Sequence, residues 1–414
     1  MPDQDIATGL PMPRGFDKVR TLIERGATVP NPWTIDIDDD VDVDRISADV
    51  VFHPGTRLRG ARTVISAGSV IGAEGPVTIE NCQLGPKVRL EAGFFSGAVF
   101  LEGASMGLGA HVRPGTLLEE HASGAHTVGL KQTILFPYVT LGSLINFCDV
   151  MMTGGTDSRN HSEVGSSYIH FNFTPDGDKT TPSLFGDVPR GVLVDEPAIF
   201  LGGQGGAVGP VRTGFGVIVG AGSVLRDDVD EDNVLVIPEQ VPGMVRPNKR
   251  HRYRRLSALL EKNLTYIGSL VALENWYRQV RSLFFAEQEF GSLVLDGALE
   301  VLAAGHVERT KRVKALIDRI VPEDEARAEL VERADALVAG AASIHVPAPE
   351  ALIAHLASLA TGGADYLSAV KALDEDQRGQ VTRWLSEVVD RVCRTAAAAS
   401  PKLGLFTNPD ATPA

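Results

Sequence analysis

Leu201, Ala207, Thr213, Val219 and Leu225 recur every six residues in LGGQGGAVGPVRTGFGVIVGAGSVL. Met106, Val112 and Leu118 keep the same interval upstream, as do the pairs Ile65 and Ile71, and Leu84 and Leu90. A six-residue beat of small aliphatic side chains, each beside Gly or Ala, matches neither the 3.6 period of a helix nor the period of two of a simple strand. It is the mark of a hexapeptide β-solenoid, in which three six-residue faces make one triangular coil. Most of the 43 glycines crowd into the first 225 positions. That skew suits a coil with tight corners, where Gly turns without a steric penalty.

Composition bounds the remaining choices. A chain of 414 residues is long enough for two or three domains. Its formal charge of −14 leaves no excess of Lys and Arg to neutralise phosphates, so no nucleic-acid partner is expected. Cys82, Cys148 and Cys393 lie far apart and form no metal-type spacing, so no metal is expected and a reducing, cytoplasmic setting is the simple reading. The first residues, MPDQDIATGLPMPRGFDKV, lack the apolar core of a signal peptide. No apolar run is long enough to span a membrane, so no membrane association is expected.

The pattern divides the chain into a lead-in and cap (1–45), a solenoid (46–229), a linker (230–251), a helical domain (252–398) and a tail (399–414). FDKVRTLIERG reads as a short amphipathic helix ending at Gly26. IDIDDDVDVD reads as a capping strand with an acidic face that protects the first open edge. The polar stretch 153–191 breaks the beat and is expected to project as an insertion, the usual place for a site in a solenoid. The basic patch KRHRYRR (249–255) has a functional reading as an anion contact and a structural one as a helix start against acidic neighbours; the acidic flanks favour the second. Leu256, Leu260, Leu264, Ile267, Val271 and Leu283 keep helical spacing. Further helices are expected near 293–304, 308–320, 323–340, 349–360, 364–372 and 376–398.

Arg113 in GAHVRPG and Lys131 in VGLKQTIL lie eighteen residues apart, one full turn of such a coil. They are expected to stack on one face, one rung apart, where a planar donor fork and a point charge together suit a phosphate. The segment GAHVRPGTLLEEHASGAHTVGLKQTILFPYVTLGSLINFCD resembles, without a gap, the acetyltransferase half of the bifunctional glucosamine-1-phosphate acetyltransferase and N-acetylglucosamine-1-phosphate uridyltransferase family. FLGGQGGAVGPVRTGFGVIVGAGSVLRDDV resembles that family's last coils, and HFNFTPDGDK its Asn-Tyr-Asp-Gly segment; together the likeness covers roughly 105–230. The resemblance implies a left-handed β-helix, side-by-side homotrimers and acetyl-CoA as co-substrate. It implies that Arg113 and Lys131 hold the sugar phosphate, that Asn146, Asn172, Phe173 and Lys179 line the acceptor site, and that Gly203 and Arg226 lie along the CoA groove.

The departures from that family bear on chemistry. Its catalytic histidine falls on Ser143, its tyrosine three residues on falls on Asn146, a groove serine falls on Gly203, Phe173 replaces a tyrosine, and about one coil is missing before Asn172. The Gly-rich nucleotide loop of the uridyltransferase domain is absent from the first hundred residues, so uridyl transfer is not expected. A serine hydroxyl of ordinary pKa cannot deprotonate an amine near neutral pH, which leaves His161 and His170 in the insertion as candidate bases. Asp149, Asp157, Asp176 and Asp178 invite a metal reading, but turn geometry explains Asp176-Gly177-Asp178 better. Cys148 is expected as a packed core thiol; for Tyr168, ligand stacking and loop packing both stand. Two functions follow. One is acetyl transfer to a phosphorylated amino sugar or sugar nucleotide. The other is a non-catalytic sugar-nucleotide sensor or scaffold whose helical domain recruits a protein partner.

Overall fold

The computed structural model describes residues 12–407 except 240, 241, 246 and 248. The first eleven residues of the lead-in, those four linker positions and the end of the tail (408–414) lie outside the described residues. The Phe16–Arg25 helix ends, as its sequence implies, on Gly26 in the left-handed conformation. It packs beside Asp36–Ile37, the first rung of a parallel β-solenoid.

Each coil has three faces. Face one stacks Ala110–Val112 on Gly93–Ser96 and beneath Gly129–Leu135. Face two stacks Ala98–Phe100 beneath Thr116–Leu118. Face three is a separate ladder of ten parallel strands, from Val51–Phe52 to Leu235–Val236. Gly129–Leu135 and Asn146–Met152 run around a corner and belong to faces one and two at once, which joins those faces into one sheet. Their corner residues, Gln132 and Asp149, hold positive φ without being glycine. The ladder is longer than the repeat alone shows, because Asp36–Ile37 already pairs and because residues 153–191 conceal a further coil.

All residues of the six-residue beat point inward, none more than 4% exposed. Parallel stacking explains this: register places Val112 on Leu130 and Leu130 on Phe147, so identical inward positions build one dry column. The stretch 153–191 is two loops and a coil. A hairpin, Gly155–Asp157 with Asn160–His161, leaves the corner after face two. Glu163–Val164, Ile169–Phe171 and Ser183–Phe185 then rejoin the three ladders. The loop 172–182 leaves the corner between faces one and two.

The helical domain lies along face two. Leu256–Trp276 continues through a π turn into Ser282–Phe285, and Gly291–Ile317 forms one long helix where two were expected. Gly297 permits close approach of that helix: a Cβ there would come within 2.3 Å of Gln83 Oε1. At the seam, the Tyr277 hydroxyl donates to Glu119 (2.6 Å), and Arg281 grips Glu120 through two hydrogen bonds (2.5 and 3.0 Å) under the Tyr366 ring. Glu325–Glu332, Ala334–Gly340, Glu350–Thr361, Tyr366–Lys371 and Glu375–Ala398 complete the domain.

Candidate functional site

Arg113 follows the Val112–Leu130 pair, and its backbone N–H donates to Leu130 O (2.9 Å), so it stands one rung from Lys131. Lys131 in turn pairs with Cys148. Three successive rungs therefore carry Arg113, Lys131 and Cys148 down the corner between faces one and two. The Arg113 guanidinium reaches past the middle rung to Cys148 Sγ (3.4 Å), a span of about 10 Å. Among the described residues, neither Arg113 nor Lys131 forms an ion pair with a carboxylate. Two cations without counter-ions at one corner form a ready anion site.

Cys148 is not the core thiol the sequence suggested. Phe147 takes the inward position, fully buried, and strand alternation turns Cys148 outward, half-buried, against the cations. Burial pushes its thiol above the usual range; Arg113 pulls the other way. Asn146, two residues back and exposed, lies with Oδ1 3.8 Å from the same sulfur.

The next residue, Asp149, is buried and forms an ion pair with Arg309 of the helical domain (2.9 Å). Burial raises the Asp149 pKa, and Arg309 opposes that rise. Asn172 Nδ2 donates to Asp149 (3.4 Å), and Thr181 Oγ1 donates to Asn172 Oδ1 (2.8 Å). The loop 172–182, exposed at Asn172 and Phe173 and buried at Thr180 and Thr181, is thereby tied at both ends. Phe173 at its start is 71% exposed. Lys179 is exposed, and its carbonyl accepts from Arg309 (3.4 Å). Arg309 escaped the sequence reading because only its helical period was visible.

The other candidates lie elsewhere. His170 points into the coil, 4% exposed, with Nε2 2.7 Å from Ser183 Oγ. Burial pushes its imidazole down to about 4, so it stays neutral near pH 7 and faces away from the cations. His161 sits on the hairpin after face two, Nδ1 3.1 Å from Ser158 O and Nε2 4.0 Å from Glu163. Tyr168 is fully buried against Phe147, a packing residue. Ser143, Ser166 and Gly203 stack at the opposite margin of face one, where the Ser166 hydroxyl meets the Ser143 N–H (3.1 Å). A Cβ on Gly203 would come within 2.7 Å of Ser166 O. Arg226 is exposed and continues the Arg113 edge of face one. It stands four rungs beyond Lys131, about 19 Å away. Within one chain Gly203 and Arg226 are not brought together.

The four aspartates do not converge. Asp157 accepts the backbone N–H groups of its own turn, while Asp176 and Asp178 meet the basic patch. Among the described residues, no cluster of three or more His, Cys, Asp or Glu could hold a metal. Four residues of the patch meet acidic groups: Arg250 and His251 on Asp176, Arg252 on Glu323, and Arg255 on Asp227. A groove of about 540 Å³ between Arg190, Glu196 and Arg378 contains none of the candidate residues. No helix among the described residues is long and apolar enough to cross a membrane.

No protein-family model matches the chain. Among curated proteins it is 29% identical over 213 residues to the bifunctional protein GlmU of Thermotoga petrophila, covering 51% of this chain and 42% of that one. The GlmU proteins of Trichormus variabilis and Kineococcus radiotolerans are each 30% identical over 211 residues, covering 51% of this chain and 42% and 38% of theirs. The chain thus spans about two fifths of the length of the curated relatives it matches. A parallel solenoid on a six-residue beat, similar over half the chain to these proteins, fits the left-handed β-helix, acetyltransferase half of the bifunctional GlmU family.

Proposed function

We propose that the corner between faces one and two binds the phosphate of a phosphorylated amino sugar or sugar nucleotide, and that the protein is an acyltransferase-like, sugar-phosphate-binding solenoid. The observation that carries this reading is the stacking of Arg113 and Lys131 on adjacent rungs with no carboxylate partner among the described residues. A bidentate guanidinium and a neighbouring ammonium match the oxygens of one phosphate. Asn146, Asn172, Phe173 and Lys179 then face the sugar. Acetyl-CoA is the donor in this reading, with Gly203 and Arg226 along its groove, and the chains associate as trimers so that the two margins of face one meet between neighbours. Attack of an amine on the thioester carbonyl requires loss of a proton. With His170 buried and Ser143 unable to act as base, His161 of a neighbouring chain or solvent takes it.

The second reading is a non-catalytic sensor of sugar nucleotides. Ser143 and the inward-facing His170 favour it, because binding survives the loss of a base. One assay separates the two. The protein is incubated with acetyl-CoA and glucosamine 1-phosphate while free thiol is followed, and sugar-phosphate binding is measured by calorimetry. Thiol release supports transfer; binding without release selects the sensor. Arg113→Ala should weaken binding of glucosamine 1-phosphate by about tenfold or more. Unchanged binding removes the phosphate assignment.

A further inference from the structure

The corner has a second wall, and it comes from the far end of the chain. Arg309 lies on Gly291–Ile317, and its side chain and that of Asp149 are only 4% and 9% exposed. One arm of the guanidinium meets Asp149 Oδ1 (2.9 Å) and the other the Lys179 carbonyl (3.4 Å). The remaining Asp149 oxygen takes Asn172 Nδ2 (3.4 Å) and lies 3.5 Å from Thr181 Oγ1, which donates to Asn172 Oδ1 (2.8 Å). Both ends of the Asn172 amide are therefore held, and its inventory still leaves one N–H and one lone pair unused. The helical domain and the end of the linker before it add three further ties to the same loop. Asn263 donates to Thr180 O (3.3 Å), Tyr253 to Asp178 (3.0 Å) and the His251 N–H to Asp176 (2.8 Å). The seam between Gln132 and Arg309 encloses only about 10 Å³, room for one water at most. A ligand can therefore meet Asn172 but cannot reach Arg309.

We propose that Arg309 is a positioning residue for sugar recognition: through Asp149 it clamps the loop 172–182, so that the helical domain sets which sugar the Arg113–Lys131 corner accepts. This rests on the phosphate reading of that corner. The physical logic is a division of labour. The two solenoid cations attract any phosphate, whereas selectivity requires a polar amide held in one orientation before the sugar arrives. A loop without a clamp must be ordered on binding and loses that advantage.

The test uses the full chain and two probes, inorganic phosphate and glucosamine 1-phosphate. Wild type should prefer the sugar phosphate. Arg309→Ala should cut that preference by about tenfold and leave the inorganic phosphate Kd within about twofold, because Arg113 and Lys131 are untouched. Arg309→Lys keeps the charge and should restore part of the preference. Thr181→Val, which removes one hydrogen bond and leaves the ion pair intact, should act in the same direction in a chain that folds normally. Amide exchange should rise across 172–182 in Arg309→Ala and remain unchanged in the strands at 110–135. An unaltered preference in both Arg309→Ala and Thr181→Val, or an unaltered loop exchange in Arg309→Ala, overturns the proposal. Wild-type protein that binds neither probe sinks the phosphate corner instead, and the exchange measurement then judges the clamp by itself.

Discussion

Two buried groups set opposite slopes on stability against pH. His170 is 4% exposed, and burial lowers it from an ordinary 6.5 to about 4. A group depressed on folding lends stability above its unfolded value and loses it as pH falls toward the folded one. Glu119, at the seam with the helical domain, is 2% exposed; burial, with Glu120 beside it, raises it from 4.5 to about 7 against the pull of Arg281. Its contribution is complete below the unfolded value and disappears as pH rises through 7. Between pH 5.5 and 7.5 the His170 effect amounts to about 1–2 kcal/mol, and the Glu119 effect runs in the opposite direction. His170→Gln keeps a polar side chain near Ser183 and removes one titration; relative to wild type it should gain about 1–2 kcal/mol as pH falls from 7.5 to 5.5. Glu119→Gln keeps an acceptor for Tyr277; relative to wild type it should gain stability as pH rises over the same range. Urea unfolding at several pH values measures both, with far-ultraviolet circular dichroism for the whole chain and, in a Trp33→Phe background, fluorescence of the buried Trp276 and Trp384 for the helical domain. A constant offset from altered packing is expected and decides nothing. A mutant profile that runs parallel to wild type refutes the burial argument for that group.

Other expectations follow from the same contacts. Arg281→Met leaves the Glu120 carboxylate buried without its partner and should cost about 3–5 kcal/mol, seen as a lower urea midpoint of the tryptophan signal. Replacing both partners, Glu120→Leu with Arg281→Met, should recover most of that loss; a single mutant as stable as wild type contradicts the burial of the pair. Of the three cysteines, only Cys148 is reachable, because Cys82 and Cys393 are buried with thiols pushed up to about 12. Iodoacetamide should modify about one thiol per native chain, faster as pH rises, and glucosamine 1-phosphate should slow it. Equal labelling of all three thiols would contradict the packing.

The solenoid was legible because its signal repeats. Val112, Leu130 and Phe147 occupy equivalent inward positions on successive rungs, and each confirms the spacing of the next. The coil inside 153–191 was hidden for the same reason. Val164 and His170 keep the six-residue interval, but an inward histidine disguises it, and Ser183–Phe185 stands between loops with no neighbour six residues away. Cys148 reads as a core residue because it follows Phe147 in an apolar run; which of two adjacent residues points inward depends on where the corner falls, and that corner is Asp149 at positive φ. The pattern suggests two helices, 293–304 and 308–320, with Gly305 between them. The chain runs straight through it, since one mid-helix glycine costs only about 1 kcal/mol and packing along face two outweighs that.

Sequence alone established the solenoid, the helical domain and the eighteen-residue interval that aligns Arg113 with Lys131. These are translational properties, written locally in every coil. It could not reveal that Arg309 reaches Asp149, or that Arg281 reaches Glu120, because such pairs join segments about 160 residues apart. Their meeting depends on how the helical domain lies across face two, and a helix's own period records only which side is buried, not what it is buried against.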